Sequence, residues 1–267
     1  MNARDETPVA PYVLRETREG VVTLTLNRGE RYNPLSRAMI AALQTELDRI
    51  ADDRSVRVVI LAAAGKGFSA GHDLREMLEH AGDEPWQQDL FGECSRMMVD
   101  LTRLPQPVIA RVHGIATAAG CQLVSMCDLA VASENATFAL PGVNIGVFCS
   151  TPAVGVGRNI NRKRAMEMLL TGELVDAPTA LAWGLVNRVV PADALDAAVR
   201  HFTDIVKARS AATIAVGKQA FYAQIEQPIA AAYDATSGVM ACNMQFDDAS
   251  EGIDAFLGKR TPVFRGR

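Results

Sequence analysis

The sequence predicts an α/β fold in which a core of alternating strands, turns and helices precedes a mostly helical C-terminal region. Short apolar runs bounded by turn residues alternate with segments whose apolar residues recur every three to four positions. Two of these runs, Val56–Ala63 and Val108–Val112, each lead into a stretch of tiny residues. Beyond about Thr151 the helical period dominates. Such a helical region often packs against a partner subunit.

The first predicted elements are two short strands and an amphipathic helix. The strands are expected over Tyr12–Thr17 and Val21–Asn27, joined at Glu19-Gly20. Asn33-Pro34 is predicted to cap the helix that follows, since both residue types favour a helix start. Its apolar residues follow the 3.6-residue period: Leu35, Met39, Leu43, Leu47 and Ile50.

Strands and helices then alternate along the middle of the chain. The predicted order is strand Val56–Ala63, helix Trp86–Leu104 ended by Pro105, strand Val108–Val112, buried helix Ala118–Met126, strand Leu129–Ser133 and segment Thr137–Ile145. Two apolar stripes with helical spacing follow. The first consists of Leu195, Ala198, Val199, Phe202 and Val206, and the second of Ile229, Ala232, Tyr233, Thr236 and Met240. A last helix is predicted between Ser250 and Gly258. We divide the chain into a core, residues 1–200, and a helical region, residues 201–267.

Composition limits the partners of this protein. The 267 residues are 49% hydrophobic and 22% charged, with a net charge of −4. No sequence-wide basic field attracts nucleic acid or anionic lipid, and no apolar run is long enough to span a bilayer. The segment Met1–Pro11 resembles neither a signal nor a transit peptide. The five cysteines, predicted to be free and buried, indicate a cytoplasmic protein: Cys94, Cys121, Cys127, Cys149 and Cys242.

The two runs of tiny residues, Gly65–Asp73 and Val112–Gln122, carry the functional prediction. Small residues at a strand-to-helix turn let a ligand approach the backbone and leave N–H groups free to donate. Two such turns aimed at one point would form an oxyanion hole, which stabilises charge that develops on a carbonyl oxygen.

Two other motifs overlap the first turn. Gly65–Ala70 fits G-x-G-x-x-A, a dinucleotide fingerprint, but the long helix and acid-tipped strand that it needs do not follow. Gly67–Gly71 fits G-x-S-x-G, the nucleophile elbow of serine hydrolases. That alternative needs a triad of Ser69, either Asp128 or Asp176, and His201, a residue within a regular helix.

Taken together, the motifs resemble the enoyl-CoA hydratase/isomerase (crotonase) superfamily from Val9 to Phe264. The resemblance implies a ββα spiral core and C-terminal helices that support a homotrimer or a dimer of trimers. The matching segments are Leu26–Arg28, Gly67–Leu74, His113–Ala116, Ala119–Cys121, Cys127-Asp128, Leu169–Gly172, Ala182–Val186 and Phe256–Arg260.

The resemblance also implies an acyl-CoA thioester as substrate, with coenzyme A as part of it and no permanently bound cofactor. The family's two oxyanion-hole N–H groups match those of His72 and Ala119. Lys66 and Phe68 resemble residues beside the adenine, and Arg28 and Lys259 resemble residues near the phosphates. The competing interpretations are a surface charge for Arg28 and Lys259, and a core aromatic for Phe68. Other positions expected to line the site are Ala70, Asp73, Leu74, Gly114, Ala116, Ala118, Pro141 and Ser150.

This sequence departs from the family at the acid–base residues. Family hydratases use two glutamates that flank a water, and these positions match Gln122 and Gly142. A positioned acid or base contributes about 10²–10⁴ in rate, so their loss puts hydration in doubt. The alternatives are therefore an enzyme with unusual proton-transfer groups and a binding or regulatory protein without chemistry.

Three replacements for the glutamates are conceivable. Water or bicarbonate could enter the space beside Gly142, by analogy with related naphthoate synthases. Cys149 and Ser150 occupy positions where some relatives place an aspartate. The pair His72 and Asp73 could titrate near neutral pH. No histidine or cysteine spacing indicates a metal site.

Overall fold

The computed structural model describes residues 10–267, so the prediction for the N-terminal segment falls largely on residues outside it. The strands are β1 (Val13–Arg18), β2 (Val21–Leu26), β3 (Val58–Ala63), β4 (Val108–Val112), β5 (Ala116–Thr117), β6 (Leu129–Ser133), β7 (Thr137–Ala139), β8 (Val175–Asp176) and β9 (Arg188–Val190). The helices are α1 (Arg37–Ala51), α2 (Leu74–Glu79), α3 (Glu84–Arg103), α4 (Ala119–Ser125), α5 (Ser150–Asn159), α6 (Arg162–Thr171), α7 (Ala177–Trp183), α8 (Leu195–Lys207), α9 (Ala211–Gln224), α10 (Ile229–Asn243) and α11 (Asp247–Leu257).

A six-stranded sheet in the order β1-β2-β3-β4-β6-β9 organises the core, and β5, β7 and β8 form a smaller sheet. Only β1 and β2 of the large sheet pair antiparallel, and the remaining neighbours are parallel. The carboxyl ends of parallel strands lie at one edge of a sheet. The turns that follow β3 and β4 therefore emerge side by side, which confirms the predicted α/β core.

Helices cover both faces of the large sheet. The main apolar core joins one face to α1, α3 and α4, and every residue of α4 is buried. On the other face, Val58, Ile109 and Val131 pack against Leu195 and Val199 of α8. This double coverage explains why β3 and β4 are almost wholly apolar.

Three local predictions are wrong. The N-cap of α1 is Ser36, whose side chain accepts a hydrogen bond from the Met39 N–H at 3.2 Å, and Asn33 has another function described below. Cys242 is exposed, whereas the other four cysteines are buried and free as predicted. The short helix α2 was not predicted, and α11 begins at Asp247, before the expected Ser250.

The C-terminal helices expose much of their apolar surface. In α10 only Ala232 is buried, while Ile229 is 76% exposed and Tyr233 is 70% exposed. The apolar stripe is therefore present, but it does not pack on the core of the same chain. The boundary placed after residue 200 falls within α8, and the division into two regions stays a prediction. No helix among residues 10–267 is long and apolar enough to cross a membrane.

Candidate functional site

The two turns of tiny residues pack against each other backbone to backbone. The Phe68 N–H donates to the Ile115 carbonyl at 2.9 Å, and the Thr117 N–H donates to the Ser69 carbonyl at 2.9 Å. A Cβ atom on Gly120 would lie 2.3 Å from the Ser69 carbonyl oxygen, well inside van der Waals contact. Glycine at position 120 is therefore required by the close approach of the first turn.

Asn33 holds the first turn in place. Its backbone is left-handed, with a φ of 50°, and the residue is fully buried. Its side-chain Nδ2 donates to the carbonyls of Ala64 at 2.8 Å, Gly67 at 3.1 Å and Phe68 at 3.1 Å. Its Oδ1 accepts from the Arg28 N–H at 2.8 Å. This role of Asn33 is not predicted from the sequence, where the only signal is an Asn-Pro pair before a helix.

The peptide group between Gly71 and His72 is oriented by a hydrogen bond from Leu35, two residues before α1. The Leu35 N–H donates to the Gly71 carbonyl at 2.8 Å, and no peptide bond in residues 10–267 is cis. In a planar trans peptide the N–H points opposite to the C=O. The His72 N–H therefore points away from Leu35, and it donates to no acceptor within the described part of the chain.

The Ala119 N–H is presented by the start of α4. The Ala118 carbonyl accepts from the Gln122 N–H at 3.0 Å along the helix, so the Ala119 N–H points back out of the helix start. Ala118 adopts φ 49° and ψ −122°, a conformation that is unfavourable for a residue with a Cβ. No acceptor among residues 10–267 takes the Ala119 N–H. This strained residue thus directly precedes a free donor.

The two free amides lie close together. A Cβ atom on Gly71, whose φ is +91°, would lie 3.2 Å from the Ala119 nitrogen and 2.9 Å from the Ala118 Cβ. Gly71 therefore lies beside the nitrogen of Ala119, which is the second donor. His72, which carries the first donor, directly follows Gly71. Such an arrangement can hold one oxygen atom between two backbone donors, as an oxyanion hole does.

The His72 side chain is turned into the protein. Its Nδ1 lies 3.1 Å from the Leu35 carbonyl, and its ring meets Phe91 edge to face at 5.4 Å between centroids. Its Nε2 is buried and has no partner among the described residues. Burial lowers the pKa of this imidazole, although the Leu35 carbonyl opposes the shift. A neutral ring with Nδ1 protonated satisfies both observations.

Asp73 does not assist His72. One carboxylate oxygen accepts from the Arg75 N–H at 3.1 Å and caps α2, and the other pairs with Arg31 at 2.9 Å. The predicted titrating pair of His72 and Asp73 is therefore not formed.

Gln122 and Gly142 are the residues expected at the positions of the two family glutamates. Gln122 is 4% exposed, and its Oε1 is buried without a partner among residues 10–267. A Cβ atom on Gly142 would lie 2.3 Å from the Val147 carbonyl oxygen and 2.9 Å from the Cys149 Sγ. We expected empty space beside Gly142. That expectation is wrong for the space where a side chain would lie, because residues 147–149 occupy that space.

The two polar residues after this loop offer no carboxylate. Cys149 is buried, and burial raises the pKa of its thiol, so it is protonated at neutral pH. Ser150 is exposed at the start of α5, and its Oγ lies 3.4 Å from the Phe148 carbonyl. Neither group replaces a general base in this arrangement.

Of the residues expected to contact coenzyme A, two are engaged elsewhere. Phe68 is fully buried, so its core interpretation is correct and its ring is not available to an adenine. The Arg28 guanidinium donates to the Ala10 carbonyl at 2.7 Å and lies 3.9 Å over the Tyr12 ring centroid. Lys66 and Lys259 are exposed, and neither forms a salt bridge among the described residues.

The remaining predicted positions surround the two turns. Ala70 is exposed, and its carbonyl accepts from the Thr117 hydroxyl at 3.2 Å. Leu74 is 55% exposed at the first position of α2. The others belong to the second turn, namely Gly114, Ala116 and Ala118, or begin the loop beside Gly142, namely Pro141.

The hydrolase triad is not assembled. Ser69 is fully buried, and its Oγ donates to the Asn33 carbonyl at 2.9 Å. Asp128 pairs with Lys218 at 2.6 Å and accepts from the Tyr222 hydroxyl at 2.9 Å. Asp176 caps α7, and His201 lies exposed on α8. The structure brings none of these side chains to Ser69.

Comparison with known proteins gives the class that this fold and these turns define. The family of enoyl-CoA hydratase/isomerase matches residues 16–267, and the chain belongs to that family.

Particular relatives narrow the class further. Human enoyl-CoA hydratase domain-containing protein 3, mitochondrial, is 43% identical over 246 residues, which cover 92% of this chain and 81% of that protein. Its crystal structure, 42% identical, covers 95% of this chain and 100% of the solved chain with a TM-score of 0.92. An enoyl-CoA hydratase crystal structure from Mycobacterium smegmatis is 52% identical and covers 95% of this chain and 99% of the solved one, with a TM-score of 0.93.

These comparisons confirm a resemblance to domain-containing protein 3 that the segments Ala118–Leu123, Pro141–Asn144 and Phe148–Pro152 indicate. They contradict the expected cytoplasmic location. The relatives of that name from mouse, rat, human and Xenopus laevis are all named as mitochondrial proteins. Free, buried cysteines report a reducing compartment, and they do not distinguish one such compartment from another.

Proposed function

We propose that this protein binds an acyl-CoA thioester and holds its carbonyl oxygen between the N–H groups of His72 and Ala119. The observation that supports the proposal is the pair of free, adjacent amides described above. Both donors belong to peptide groups whose carbonyls are already bonded, to Leu35 and to Gln122. Their directions are therefore fixed before a ligand arrives.

Such a site favours chemistry through the enolate of the thioester. A carbonyl oxygen that accepts two hydrogen bonds withdraws electron density, and this makes removal or addition of a proton at the α-carbon easier. Removing one donor of an oxyanion hole costs about 10²–10³ in rate in other enzymes. Enoyl-CoA hydration or isomerisation is thus the nominal activity of this chain.

The acid–base half of the site limits that activity. Gln122 can hydrogen-bond a water but cannot accept its proton. Gly142 supplies no side chain, and the Val147 carbonyl and Cys149 thiol fill the direction of one. These two features support a second candidate, in which the protein binds acyl-CoA with little or no turnover.

Two measurements on the purified protein separate the candidates. Calorimetric titration with a saturated acyl-CoA tests binding, and the absorbance of the conjugated thioester across an enoyl-CoA series, with and without bicarbonate, tests turnover. Turnover supports an enzyme, and binding without turnover supports the second candidate. Absence of binding contradicts both.

A matched pair of variants links any binding to the turns. Gly71→Ala places a Cβ against Ala118 and the Ala119 nitrogen, whereas Gly82→Ala meets no atom within 4 Å. Both glycines have positive φ, so the backbone strain is similar and only the contact differs. We expect loss of acyl-CoA binding in the first variant alone.

We also propose that the protein assembles as a homotrimer or a dimer of trimers through its C-terminal helices. The exposed apolar residues of α10, including Ile229 and Tyr233, support this proposal. Sedimentation equilibrium tests it, and a monomer at micromolar concentration would contradict it.

A further inference from the structure

A cleft lies far from the candidate site. It has a volume of about 1060 Å³ and is bordered by the end of α1, the segment between α8 and α9, and the last residues of the chain. We call it the arginine cleft after the cationic residues that line it: Arg54, Arg57, Lys207, Arg209, Arg265 and Arg267. Its volume matches that of pockets that hold small molecules.

The arginine cleft and the two turns lie at opposite edges of the large sheet. The cleft is lined by residues that immediately precede β3 and β4, such as Arg57 and Pro107. The turns follow the carboxyl ends of the same strands. The six residues of β3 span roughly 20 Å at about 3.3 Å per residue. A single phosphate group therefore cannot contact both the arginine cleft and the two turns.

The charges of the cleft are only partly compensated. Lys207 pairs with Asp204 at 3.4 Å and Arg267 with Asp247 at 3.0 Å, and Asp52 also lines the cleft. Within residues 10–267, no carboxylate forms a salt bridge with the other four cationic residues, which are Arg54, Arg57, Arg209 and Arg265. Some arginines elsewhere have close carboxylate partners, as Arg37 has Glu93 and Arg260 has Glu251. The protein as a whole carries a net charge of −4, so this concentration of positive charge is local.

One cation of the cleft is fixed by the backbone of a segment that carries another. The Arg57 guanidinium donates to the Arg209 carbonyl at 2.7 Å, which holds the Arg57 side chain at that segment. Cationic residues gathered around one cleft attract an anion. Guanidinium groups bind phosphate oxygens in a bidentate manner, which favours phosphate over a single carboxylate.

Part of the cleft wall is apolar. Val56, Pro107, Ile214 and Phe264 all line it, and the first is buried. A bare phosphate would leave most of this volume and surface unused. The combination fits a phosphate group attached to an apolar or planar carrier.

We propose that the arginine cleft binds an organic phosphate at a site separate from the two turns. This proposal does not depend on acyl-CoA binding at the turns. The ligand class is one or more phosphate groups on an apolar or planar carrier, with ADP and inorganic phosphate as probes.

The test is calorimetric titration of the full-length protein with ADP and with inorganic phosphate. We expect ADP to bind more tightly than phosphate, and both to weaken as salt is raised. The double variant Arg54→Gln/Arg209→Gln removes two exposed guanidiniums and should raise the Kd for ADP about tenfold or more. The control Arg162→Gln/Arg200→Gln makes the same charge change at exposed residues outside the cleft and should alter the Kd less than about twofold.

A third variant separates this cleft from the expected coenzyme A site, since coenzyme A itself carries an ADP unit. Lys66→Gln should leave ADP binding unchanged. Loss of binding in Lys66→Gln with retention in Arg54→Gln/Arg209→Gln would place ADP at the turns and overturn the proposal. Failure of the wild-type protein to bind either probe would overturn it as well.

Discussion

The two halves of the candidate site differ in what they are made of. The proposed carbonyl-binding half consists of backbone amides, and the hydrogen bonds to Leu35 and Gln122 fix the direction of each donor. The proposed acid–base half depends on side chains at positions 122 and 142, where this chain has glutamine and glycine. A backbone donor survives a change of its own side chain, so histidine at position 72 leaves the first half intact. The second half changes its chemistry with each substitution.

Support from buried neighbours also distinguishes the halves. Asn33, Ser69 and Gly120 hold the two turns at van der Waals distance, whereas the loop after Gly142 is largely exposed from Asn144 to Phe148. The carbonyl-binding half should therefore be costly to alter and the other half less so. Four substitutions test this difference.

The largest effect is expected for Asn33→Ala. It leaves three carbonyls and one N–H without their partner, and the two carbonyl bonds that are fully buried make the loss costly. We expect a decrease of about 3–5 kcal/mol in the free energy of unfolding, measured by urea denaturation. The control Asn135→Ala removes an exposed side chain and should change stability by less than about 0.5 kcal/mol. Equal effects in the two variants would contradict the proposed role of Asn33.

Gly120→Ala should have the next largest effect. Its Cβ would lie 2.3 Å from the Ser69 carbonyl, so the two turns must separate. We expect a loss of about 2–3 kcal/mol of stability and of acyl-CoA binding. In Gly157→Ala the new methyl group meets no atom within 4 Å on the exposed side of α5. That control should be neutral or gain up to about 1 kcal/mol, because alanine favours a helix.

Gly142→Ala examines the second half. The methyl group would overlap the Val147 carbonyl, but the loop that carries it is exposed and can shift. We expect a loss of about 1–2 kcal/mol by denaturation, with acyl-CoA binding retained within about threefold. A loss as large as that of Gly120→Ala would show that the halves are equally rigid.

His72→Phe should have the smallest effect on stability. It keeps an aromatic ring beside Phe91 and removes the bond to the Leu35 carbonyl, which costs about 1 kcal/mol. The N–H of residue 72 remains. We expect the two N–H donors to shift the absorbance of a bound enoyl thioester to longer wavelength than that of the free thioester. His72→Phe should keep most of that shift. Complete loss of the shift would show that the imidazole itself polarises the carbonyl.

The same variant tests a pH dependence. Because burial lowers the pKa of His72, the unfolded chain binds more protons than the folded one between the lowered pKa and the unfolded value of about 6.5. The stability that the neutral ring contributes is present above about pH 6.5 and is lost as the pH falls below it. We expect the wild-type protein to lose stability from pH 7 to pH 5 more steeply than His72→Phe.

Much of the fold was predictable because its signals are local. Apolar runs such as Val58–Ala63, and the period of Met39, Leu43 and Leu47, report buried faces directly. The tiny residues after β3 and β4 predicted two turns aimed at one point, and in the structure these turns pack against each other. The role of Asn33 was not predictable, because an Asn-Pro pair before a helix signals a cap and nothing local shows three carbonyls converging from residues 64–68.

The sequence by itself determined the α/β class, the order of most elements as far as β7, the two glycine-rich turns, and glutamine and glycine at positions 122 and 142. Only the tertiary structure decided that the amides of residues 72 and 119 are adjacent and free, that residues 147–149 occupy the space where a side chain at position 142 would lie, and that five arginines and one lysine line one cleft. The reason is physical: periodicity and turn chemistry act between near neighbours in the chain. The direction of an N–H group and the occupancy of a space depend on segments that meet only after folding.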